Sequence, residues 1–218
     1  MRRRLYLMRH AEVSYVGERD PEVVRLTERG LEQAAAARRA LEDVAFDLVV
    51  TSTLPRTLET AEVVAPEAEP EQWIELAEWR GGRLTEIPPE ELERAFVGAL
   101  LIREEEERFL AGESLGEALD RVLPAFDRLV AREWDTALAV LHGGINRILI
   151  SRALTGERRY FGTFEQAPAC INVLDLGDSG WIVRTVNYIP YDPLHPARTT
   201  TMEQYWAELG GWLDERRG

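Results

Sequence analysis

The sequence predicts an α/β fold with three layers, α/β/α, in which helices cover both faces of a mainly parallel central sheet. Short apolar runs, which indicate buried strands, alternate with segments of helical periodicity through most of the chain. Two of these runs end in a histidine, at residues 5–10 and 137–142, although the chain contains only 3 histidines. A length of 218 residues suits one domain, and we expect residues 1–218 to form it.

Strands and helices alternate from the start of the chain. The first two strand candidates cover residues 5–10 and 46–50, and a shorter one covers residues 73–76. Thr27 marks a helix start, because its side chain can accept a hydrogen bond from a free amide of the first turn. A second helix is expected over residues 55–65, with a proline in its first turn, where the missing amide hydrogen is no loss.

The second half of the chain repeats the alternation. The expected elements are a helical region over residues 89–132, a strand over 137–142, a helix over 144–154, a hairpin of strands over 170–176 and 181–187, and a final helix over about 201–216. Ser114 and Glu117 form the capping box of a helix within the first of these regions. Trp206, Leu209 and Leu213 recur at helical spacing, which places them on one face of the final helix.

We expect residues 79–132 to form an insertion, a helical cap over the carboxyl ends of the strands. Ligands of open α/β sheets bind at that edge, so a cap there would lie over the ligand. The acidic run at residues 104–107 fits a solvated face of one of its helices.

Composition and charge exclude several classes of protein. A net charge of -13 argues against nonspecific nucleic-acid binding, so an anionic ligand would need a local positive site. No apolar stretch approaches the roughly 18 residues of a membrane span, and the run after residues 2–4 is too short for a signal peptide. The single cysteine, Cys170, excludes an internal disulfide framework and fits a buried structural thiol. We expect a cytoplasmic protein that binds neither nucleic acid nor membranes; oligomeric state is not predicted.

The residues that carry chemistry lie where strands end. Arg9 and His10 follow the first strand: arginine binds phosphate oxygens in a planar, bidentate manner, and histidine can act as base, acid or nucleophile. His142 follows a later strand in the same way. Arg56 lies in the first turn of the helix after the second strand, beside amides that carry partial positive charge. Taken singly, each has a plainer interpretation, either a hydrogen-bonded loop histidine or a surface arginine paired with a neighbouring glutamate.

Taken together, four segments resemble the histidine phosphatase superfamily, the phosphoglycerate-mutase-like proteins. They occur in the family's order between residues 5 and 147, and residues 170–187 also resemble its last strands. The segments are Arg-His-Ala-Glu at residues 9–12, the Thr-Ser, Arg-Thr and Thr-Ala pairs within residues 51–61, Leu-Ala-Glu-Trp-Arg-Gly at residues 76–81, and His-Gly-Gly at residues 142–144 with Arg147 beyond. Each motif alone is weak evidence, but four in order are a strong signal.

The resemblance implies a role for each motif residue. His10 would attack phosphorus and become a phosphohistidine. Arg9, Arg56 and His142 would bind the equatorial oxygens and stabilise their charge. Gly143, within the second-histidine motif, would contribute to substrate binding.

Glu78 would protonate the leaving alkoxide and then activate the water that hydrolyses the phosphoenzyme. Glu75 and Glu86 are nearby competitors for this role, and the spacing to Gly81 favours Glu78. No metal and no other cofactor is expected, because arginines and histidines supply the positive charge and no ligand cluster has metal spacing. Ala11 replaces the family's usual glycine after the nucleophile, and we expect its methyl group to be tolerated.

Other polar and aromatic residues near the motifs have structural interpretations. We expect Arg147 to form a structural ion pair and His195, in a proline-rich segment, to lie at the surface. Tyr15, Trp79 and Phe96 could face an apolar or ring-bearing leaving group, or belong to the core.

The leading functional hypothesis is hydrolysis of a small phosphorylated metabolite, with sugar phosphates, phosphoglycerates and cobalamin-precursor nucleotides all open. A phosphoglycerate mutase is one alternative, but it needs basic cap residues for the second acidic group of its substrate, and this cap carries the acidic run at residues 104–107. A non-catalytic protein that binds a phosphorylated ligand is another, although such proteins usually lose a core residue and this chain keeps His10, Arg56, Glu78 and His142. Protein phosphohistidine phosphatases, the remaining alternative, tend to be shorter and uncapped.

Overall fold

The computed structural model describes residues 2–15, 20–102 and 104–215 and places a six-stranded sheet between helical layers. The strands are β1 (Arg3–Arg9), β2 (Leu48–Thr51), β3 (Glu71–Gln72), β4 (Thr136–Leu141), β5 (Ile171–Gly177) and β6 (Gly180–Tyr188). The α-helices are α1 (Glu28–Ala40), α2 (Pro55–Val64), α3 (Leu92–Val97), α4 (Leu115–Ala131), α5 (Gly143–Thr155) and α6 (Thr201–Glu215). Short 3₁₀ helices cover Ile74–Leu76, Leu84–Glu86, Pro89–Glu91, Gly98–Leu101 and Phe109–Ala111.

The sheet has the strand order β3-β2-β4-β1-β5-β6. The pairs β3-β2, β2-β4 and β4-β1 are parallel, whereas β1-β5 and β5-β6 are antiparallel. The predicted α/β fold is confirmed, with a mixed sheet in which the antiparallel part is larger than expected. The tight turn between β5 and β6 forces antiparallel pairing of those two strands, because a two-residue hairpin cannot join parallel neighbours.

The alternation of side chains along β4 shows how the layers form. Ala137, Ala139 and Leu141 face the side covered by α4 and α5. Leu138 and Val140 face the opposite side, against α1 and α2. A strand that is apolar on both faces is typical of the centre of an α/β sheet. The carboxyl end of β4 is therefore buried inside the molecule.

Most predicted helices occur where the sequence indicates them. Thr27 caps α1 by accepting a hydrogen bond from the amide of Gly30, and Ser114 with Glu117 forms the predicted capping box of α4. The final helix also forms, although residues 216–218 and the side chain of Leu213 lie outside the described part of the chain.

Two local predictions are wrong. Residues 73–76 are not a strand: β3 ends at Gln72, and a 3₁₀ turn follows that exposes Ile74 and buries Leu76. The acidic run at residues 104–107 lies in exposed, non-helical backbone, and Glu105 pairs with Arg158 at 2.8 Å. In both places a charge or apolar pattern alone could not distinguish an extended strand or helix from a turn.

The cap predicted for residues 79–132 stays a prediction, and its parts have different surroundings. α4 buries its apolar face in the main core beneath the sheet. The residues before it form short 3₁₀ turns and the helix α3. Phe109 of one such turn stacks on Trp79, and Phe96 of α3 packs against Trp206 of α6. Within the described ranges, no helix has the length and apolar character required to cross a membrane. The predicted cytoplasmic location stays a prediction.

Candidate active site

The register of the sheet brings the two motif histidines together. β1 and β4 are parallel neighbours in which Arg9 pairs with Leu141, so the next residue after each is a histidine. The amide of His10 donates to the carbonyl oxygen of Leu141 at 2.9 Å, and the ring centroids of His10 and His142 are 5.2 Å apart. The pair lies at the carboxyl ends of the parallel strands, the edge at which α/β folds bind ligands.

The contacts of His10 define its tautomer. Its Nδ1 lies 2.7 Å from the carbonyl oxygen of Ala11, which can only accept, so Nδ1 carries the proton of the neutral ring. The lone pair is therefore on Nε2, which forms no hydrogen bond to any residue in the described ranges. Ala11 itself is fully buried, and its amide donates to the hydroxyl of Thr60 at 3.0 Å.

Ser52 holds the second histidine. It follows β2, the neighbour of β4, and its hydroxyl oxygen lies 2.8 Å from Nε2 of His142. The same oxygen accepts from the amide of Leu54 at 3.2 Å, and the neighbouring hydroxyl of Thr57 donates to the Leu54 carbonyl at 2.8 Å. The proton of Ser52 is thus available to Nε2, which places the ring proton of His142 on Nδ1. That N–H is a buried donor with no partner among the described residues.

Two arginines flank the histidines, and both are almost fully buried. Arg9 is 6% exposed and Arg56 is 3% exposed. One terminal nitrogen of each donates to a backbone carbonyl, that of Gln166 for Arg9 at 2.5 Å and that of Pro21 for Arg56 at 2.9 Å. Neither forms an ion pair with a carboxylate of the described ranges, so the surface-pair interpretation of Arg56 is wrong.

Buried donors without partners concentrate at this place. Within the described ranges, the unpartnered buried side-chain atoms include three N–H groups, Nε of Arg9, Nε of Arg56 and Nδ1 of His142. Leaving a buried donor unsatisfied costs about 1–3 kcal/mol, and more for a charged group. Three such donors around one neutral imidazole indicate a site built for an anion rich in acceptor oxygens.

Burial and positive charge keep both histidines neutral. Burial lowers the pKa of His10 well below its usual value, and the charges of Arg56 and Arg9 lower it further. Burial, Arg56 and His10 lower the pKa of His142 in the same way. A neutral His10 retains the lone pair that a nucleophile needs near neutral pH.

Glu78 lies at the amino end of α5, beside the glycines that follow His142. Its Oε1 accepts from the amide of Trp79 at 2.9 Å, and its Oε2 lies 3.5 Å from the amide nitrogen of Gly144. A Cβ on Gly144 would lie 2.8 Å from Oε1 of Glu78. A Cβ on Gly143 would lie 3.6 Å from Nε of Arg9. Because neither glycine carries a side chain, the carboxyl group of Glu78 and the guanidinium group of Arg9 can both approach the amino end of α5.

The competing glutamates lie elsewhere. Glu75 pairs with Arg128 at 3.0 Å on a partly exposed surface, and Glu86 is exposed. Of the three candidates, Glu78 is the one beside the residues that follow His142.

A buried ion pair supports the segment that carries Glu78. Arg121 on α4 donates to the carbonyl oxygens of Glu75 at 2.7 Å and of Ala77 at 2.9 Å, and pairs with Glu113 at 2.7 Å. The indole nitrogen of Trp79 donates to the Glu113 carbonyl at 2.9 Å. Arg121 of α4 thus fixes the backbone just before Glu78, and Glu113, which pairs with Arg121, anchors the indole of Trp79 just after it.

The structure corrects one prediction about polar residues and confirms two others. Arg147 is buried and forms no ion pair with a described residue; its Nε donates to the carbonyl of Phe164 at 2.9 Å. His195 is exposed, as predicted. Cys170 is fully buried, and burial raises the pKa of its thiol to about 12, as expected of a structural thiol.

Sequence reasoning missed the contribution of α6. The hydroxyls of Thr201 and Tyr205 each lie 3.2 Å from a terminal nitrogen of Arg9, and the Tyr205 ring packs edge-on against Tyr15 at 5.1 Å. The helix itself is readable from its apolar spacing, but nothing in the sequence indicates that it contacts Arg9. Ser52 belongs to the Thr-Ser pair of the second family motif, but only the pairing of β2 with β4 shows that its hydroxyl contacts His142.

Within the described part of the chain, no three His, Cys, Asp or Glu side chains are grouped so that they could hold a metal ion. A surface depression lined by Arg4, Asp135 and Asp175 lies at the opposite, amino-terminal end of the parallel strands and contains none of the site residues.

The sequence identifies the family of this chain. The chain belongs to the histidine phosphatase superfamily (branch 1), whose family model matches residues 5–189. It is 30% identical to a glucosyl-3-phosphoglycerate phosphatase from Mycolicibacterium vanbaalenii, over 70% of this chain and 74% of that protein.

Two further proteins show the same relationship. The chain is 26% identical to a probable 2-carboxy-D-arabinitol-1-phosphatase from Arabidopsis thaliana over 88% of its own length, but it spans only 43% of that protein. A crystal structure of a putative alpha-ribazole-5'-P phosphatase from Escherichia coli superimposes with a TM-score of 0.68 at 26% identity, covering 85% of this chain and 96% of that one.

Proposed function

We propose that this protein is a metal-independent phosphomonoester hydrolase that acts through a phosphohistidine on His10. The observation that carries the proposal is the group of unpartnered N–H donors on Arg9, Arg56 and His142 beside a neutral imidazole. A phosphoryl group supplies the acceptor oxygens that these donors lack, and two guanidinium groups match its negative charge.

In the first step, the lone pair on Nε2 of His10 attacks phosphorus while the bond to the leaving oxygen breaks. Nδ1–H stays hydrogen-bonded to the carbonyl of Ala11, which orients the ring and stabilises the positive charge that it acquires. Arg9, Arg56 and Nδ1–H of His142 hold the three other oxygens. The carboxyl group of Glu78 gives its proton to the departing oxygen, so the product is a neutral alcohol.

In the second step, the carboxylate of Glu78 takes a proton from water, and the oxygen of that water attacks phosphorus. The P–N bond breaks, the electron pair returns to Nε2, and inorganic phosphate leaves. Glu78 ends protonated and His10 ends neutral, so both are ready for another turnover. The position of Glu78 beside Gly144, with Arg121 holding the backbone around it, supports this double role.

We propose a small phosphorylated metabolite as substrate. The Mycolicibacterium relative is named for glucosyl-3-phosphoglycerate and the Arabidopsis relative for 2-carboxy-D-arabinitol 1-phosphate, both small phosphate esters. If residues 79–132 form the expected cap, the four glutamates at residues 104–107 supply it with no positive charge for a second acidic group, which supports hydrolysis over mutase-type transfer.

The test is hydrolysis of p-nitrophenyl phosphate in excess EDTA, with and without vanadate. We expect turnover to survive chelation and to be inhibited by vanadate, which mimics the five-coordinate phosphorus of the transition state. Rapid quench with a ³²P-labelled phosphomonoester should trap an acid-labile, base-stable label on His10. His10→Ala should be inactive, whereas His195→Ala, which removes an exposed histidine, should match the wild type.

Loss of activity in EDTA that a divalent ion restores would overturn the mechanism, as would a label on a serine or on Cys170. A wild-type protein that binds phosphate but hydrolyses no phosphomonoester would instead be a binding protein. Transfer of the label to a second substrate molecule rather than to water would identify a mutase.

A further inference from the structure

Arg147 is a buried arginine that forms no ion pair with an acidic side chain of the described residues. It lies on α5 and is 6% exposed, and burial lowers its pKa. Its only hydrogen bond to a described residue runs from Nε to the carbonyl of Phe164, at 2.9 Å. Nη1 and Nη2 have no hydrogen-bond partner in those ranges. A buried charge without a partner is costly, so such groups mark a place where a ligand completes the pairing.

One terminal nitrogen of Arg147, Nη1, lies beside the proposed phosphate site. A Cβ built on Gly143 would be 3.2 Å from Nη1 of Arg147 and 3.6 Å from Nε of Arg9, so both guanidinium groups border the bare face of that glycine. The next glycine, Gly144, borders the carboxyl group of Glu78. Arg147 therefore lies at the same end of α5 as the group that we propose to protonate the leaving oxygen.

Two acidic residues act on Arg147 without forming an ion pair with it. The charges of Glu165 and Glu78 raise the pKa of both Arg147 and Arg9. Oε1 of Glu165 accepts from the hydroxyl of Thr201 at 2.8 Å, and Oε1 of Glu78 accepts from the amide of Trp79 at 2.9 Å. Neither carboxylate is hydrogen-bonded to Nη1 or Nη2 of Arg147.

We propose that Arg147 is a specificity-determining residue that binds a carboxylate on the leaving alcohol of the substrate. The proposal rests on the proposed function, in which Arg9 and Arg56 serve the phosphoryl group and Glu78 serves the leaving oxygen. Nη1 and Nη2 form a planar fork, which matches the two oxygens of a carboxylate. The substrates selected would be phosphate esters of hydroxy acids, in which the acidic group is a few bonds from the ester oxygen.

The test compares two substrates that differ in little but the carboxylate, 3-phosphoglycerate and glycerol 3-phosphate. The readout is the ratio of their kcat/KM values, with p-nitrophenyl phosphate as an independent measure of phosphatase activity. We expect the wild type to favour 3-phosphoglycerate by about 10- to 100-fold, the usual effect of one hydrogen-bonded charge pair. Arg147→Met, which keeps the apolar stem, should bring the ratio close to 1.

Arg152→Met is the matched control, because Arg152 lies on the same helix but bonds the carbonyl of Gly156 and is partly exposed. It should keep the wild-type ratio. If Arg147→Met does not fold, as judged by its thermal unfolding, Arg147→Gln takes its place, since an amide can still donate to the Phe164 carbonyl.

A wild-type ratio near 1 overturns the inference regardless of any variant. A ratio that persists in Arg147→Met, or in Arg147→Gln, overturns it as well. A preference for propane-1,3-diol bisphosphate over 3-phosphoglycerate would show that the second group is a phosphate and would also contradict it. If the wild type hydrolyses p-nitrophenyl phosphate in all these cases, the proposed function stands while the inference fails. A wild type that hydrolyses none of the esters overturns both.

Discussion

Gly144→Ala tests the position of Glu78 with a single methyl group. The new Cβ would lie 2.8 Å from Oε1 of Glu78 and 3.4 Å from the Trp79 ring. Trp79 is 4% exposed and stacks on Phe109, so it has no room to retreat. The carboxyl group is the flexible partner, and it must move by about 0.5 Å or more to reach an ordinary contact distance.

The expected magnitude follows from that displacement. A shift of about 1 Å at a catalytic group can cost about 100-fold in rate, so we expect kcat for an alkyl phosphate such as glycerol 3-phosphate to fall about 10- to 100-fold. The loss should be smaller for p-nitrophenyl phosphate, whose leaving group needs less protonation. The fold should survive, because alanine favours a helix over glycine by about 1 kcal/mol.

Gly143→Ala is the matched control. Its Cβ would approach Nη1 of Arg147 at 3.2 Å and Nε of Arg9 at 3.6 Å, and Glu78 is not among its nearest neighbours. It should therefore raise KM and weaken inhibition by inorganic phosphate more than it lowers kcat.

Steady-state kinetics on both esters, with thermal unfolding as a check on folding, distinguish the two variants. If kcat of a folded Gly144→Ala protein for alkyl phosphates lies within about threefold of the wild-type value, displacing Glu78 does not affect the rate. The proton donor would then be another group. Equal losses on both esters would also contradict the reasoning, because they would not depend on the leaving group.

Three further predictions concern groups around the site. Ser52→Ala removes the hydroxyl that bonds His142, and we expect kcat/KM for p-nitrophenyl phosphate to fall about 3- to 10-fold, the value of one neutral hydrogen bond. Arg121→Met breaks its contacts around Glu78, so the free energy of unfolding in urea should fall by about 3 kcal/mol and kcat should fall with it. Burial lowers the pKa of His10 and of His142 in the folded state, so the unfolded chain takes up more protons below about pH 6.5. The free energy of unfolding is therefore highest above that pH and falls as the pH falls, by at most about 2 kcal/mol per histidine between pH 7 and pH 5. His142→Gln should roughly halve this part of the pH dependence in urea titrations, and an unchanged pH slope would show that the histidine is not buried in its neutral form.

The sequence predicts the site well where function depends on local order. Arg9 and His10 end an apolar run, His142 ends another, and both runs are strands of the central sheet. Because parallel strands end at one edge, those patterns are enough to expect the two histidines near each other. The same logic places Arg56, whose helix starts just after β2.

Local pattern fails where several backbone conformations fit the same residues. Residues 73–76 look like a strand, but the sheet edge accommodates only the two residues of β3, and the chain then turns to bury Leu76. The direction of β5 beside β1 is likewise set by the path of the whole chain, since a buried strand has the same apolar pattern in either orientation.

Side-chain partners depend most on tertiary structure. From the sequence, Arg147 was expected to form an ion pair, and Arg56 had a plain interpretation as a surface residue. In the fold both are buried without a carboxylate from the described ranges. Hydrogen-bond partners such as Ser52 for His142, or Thr201 and Tyr205 for Arg9, are joined across long stretches of chain.

The sequence by itself therefore determined the alternation of strands and helices, the residues at the strand ends and the family resemblance, because all three are carried by residues close together in the chain. The tertiary structure decided the register that sets the two histidines 5.2 Å apart, and it decided which donors have no partner among the described residues. Those features arise when distant segments exclude water together. Only then does it become fixed which charge has a partner and which one is left for a ligand.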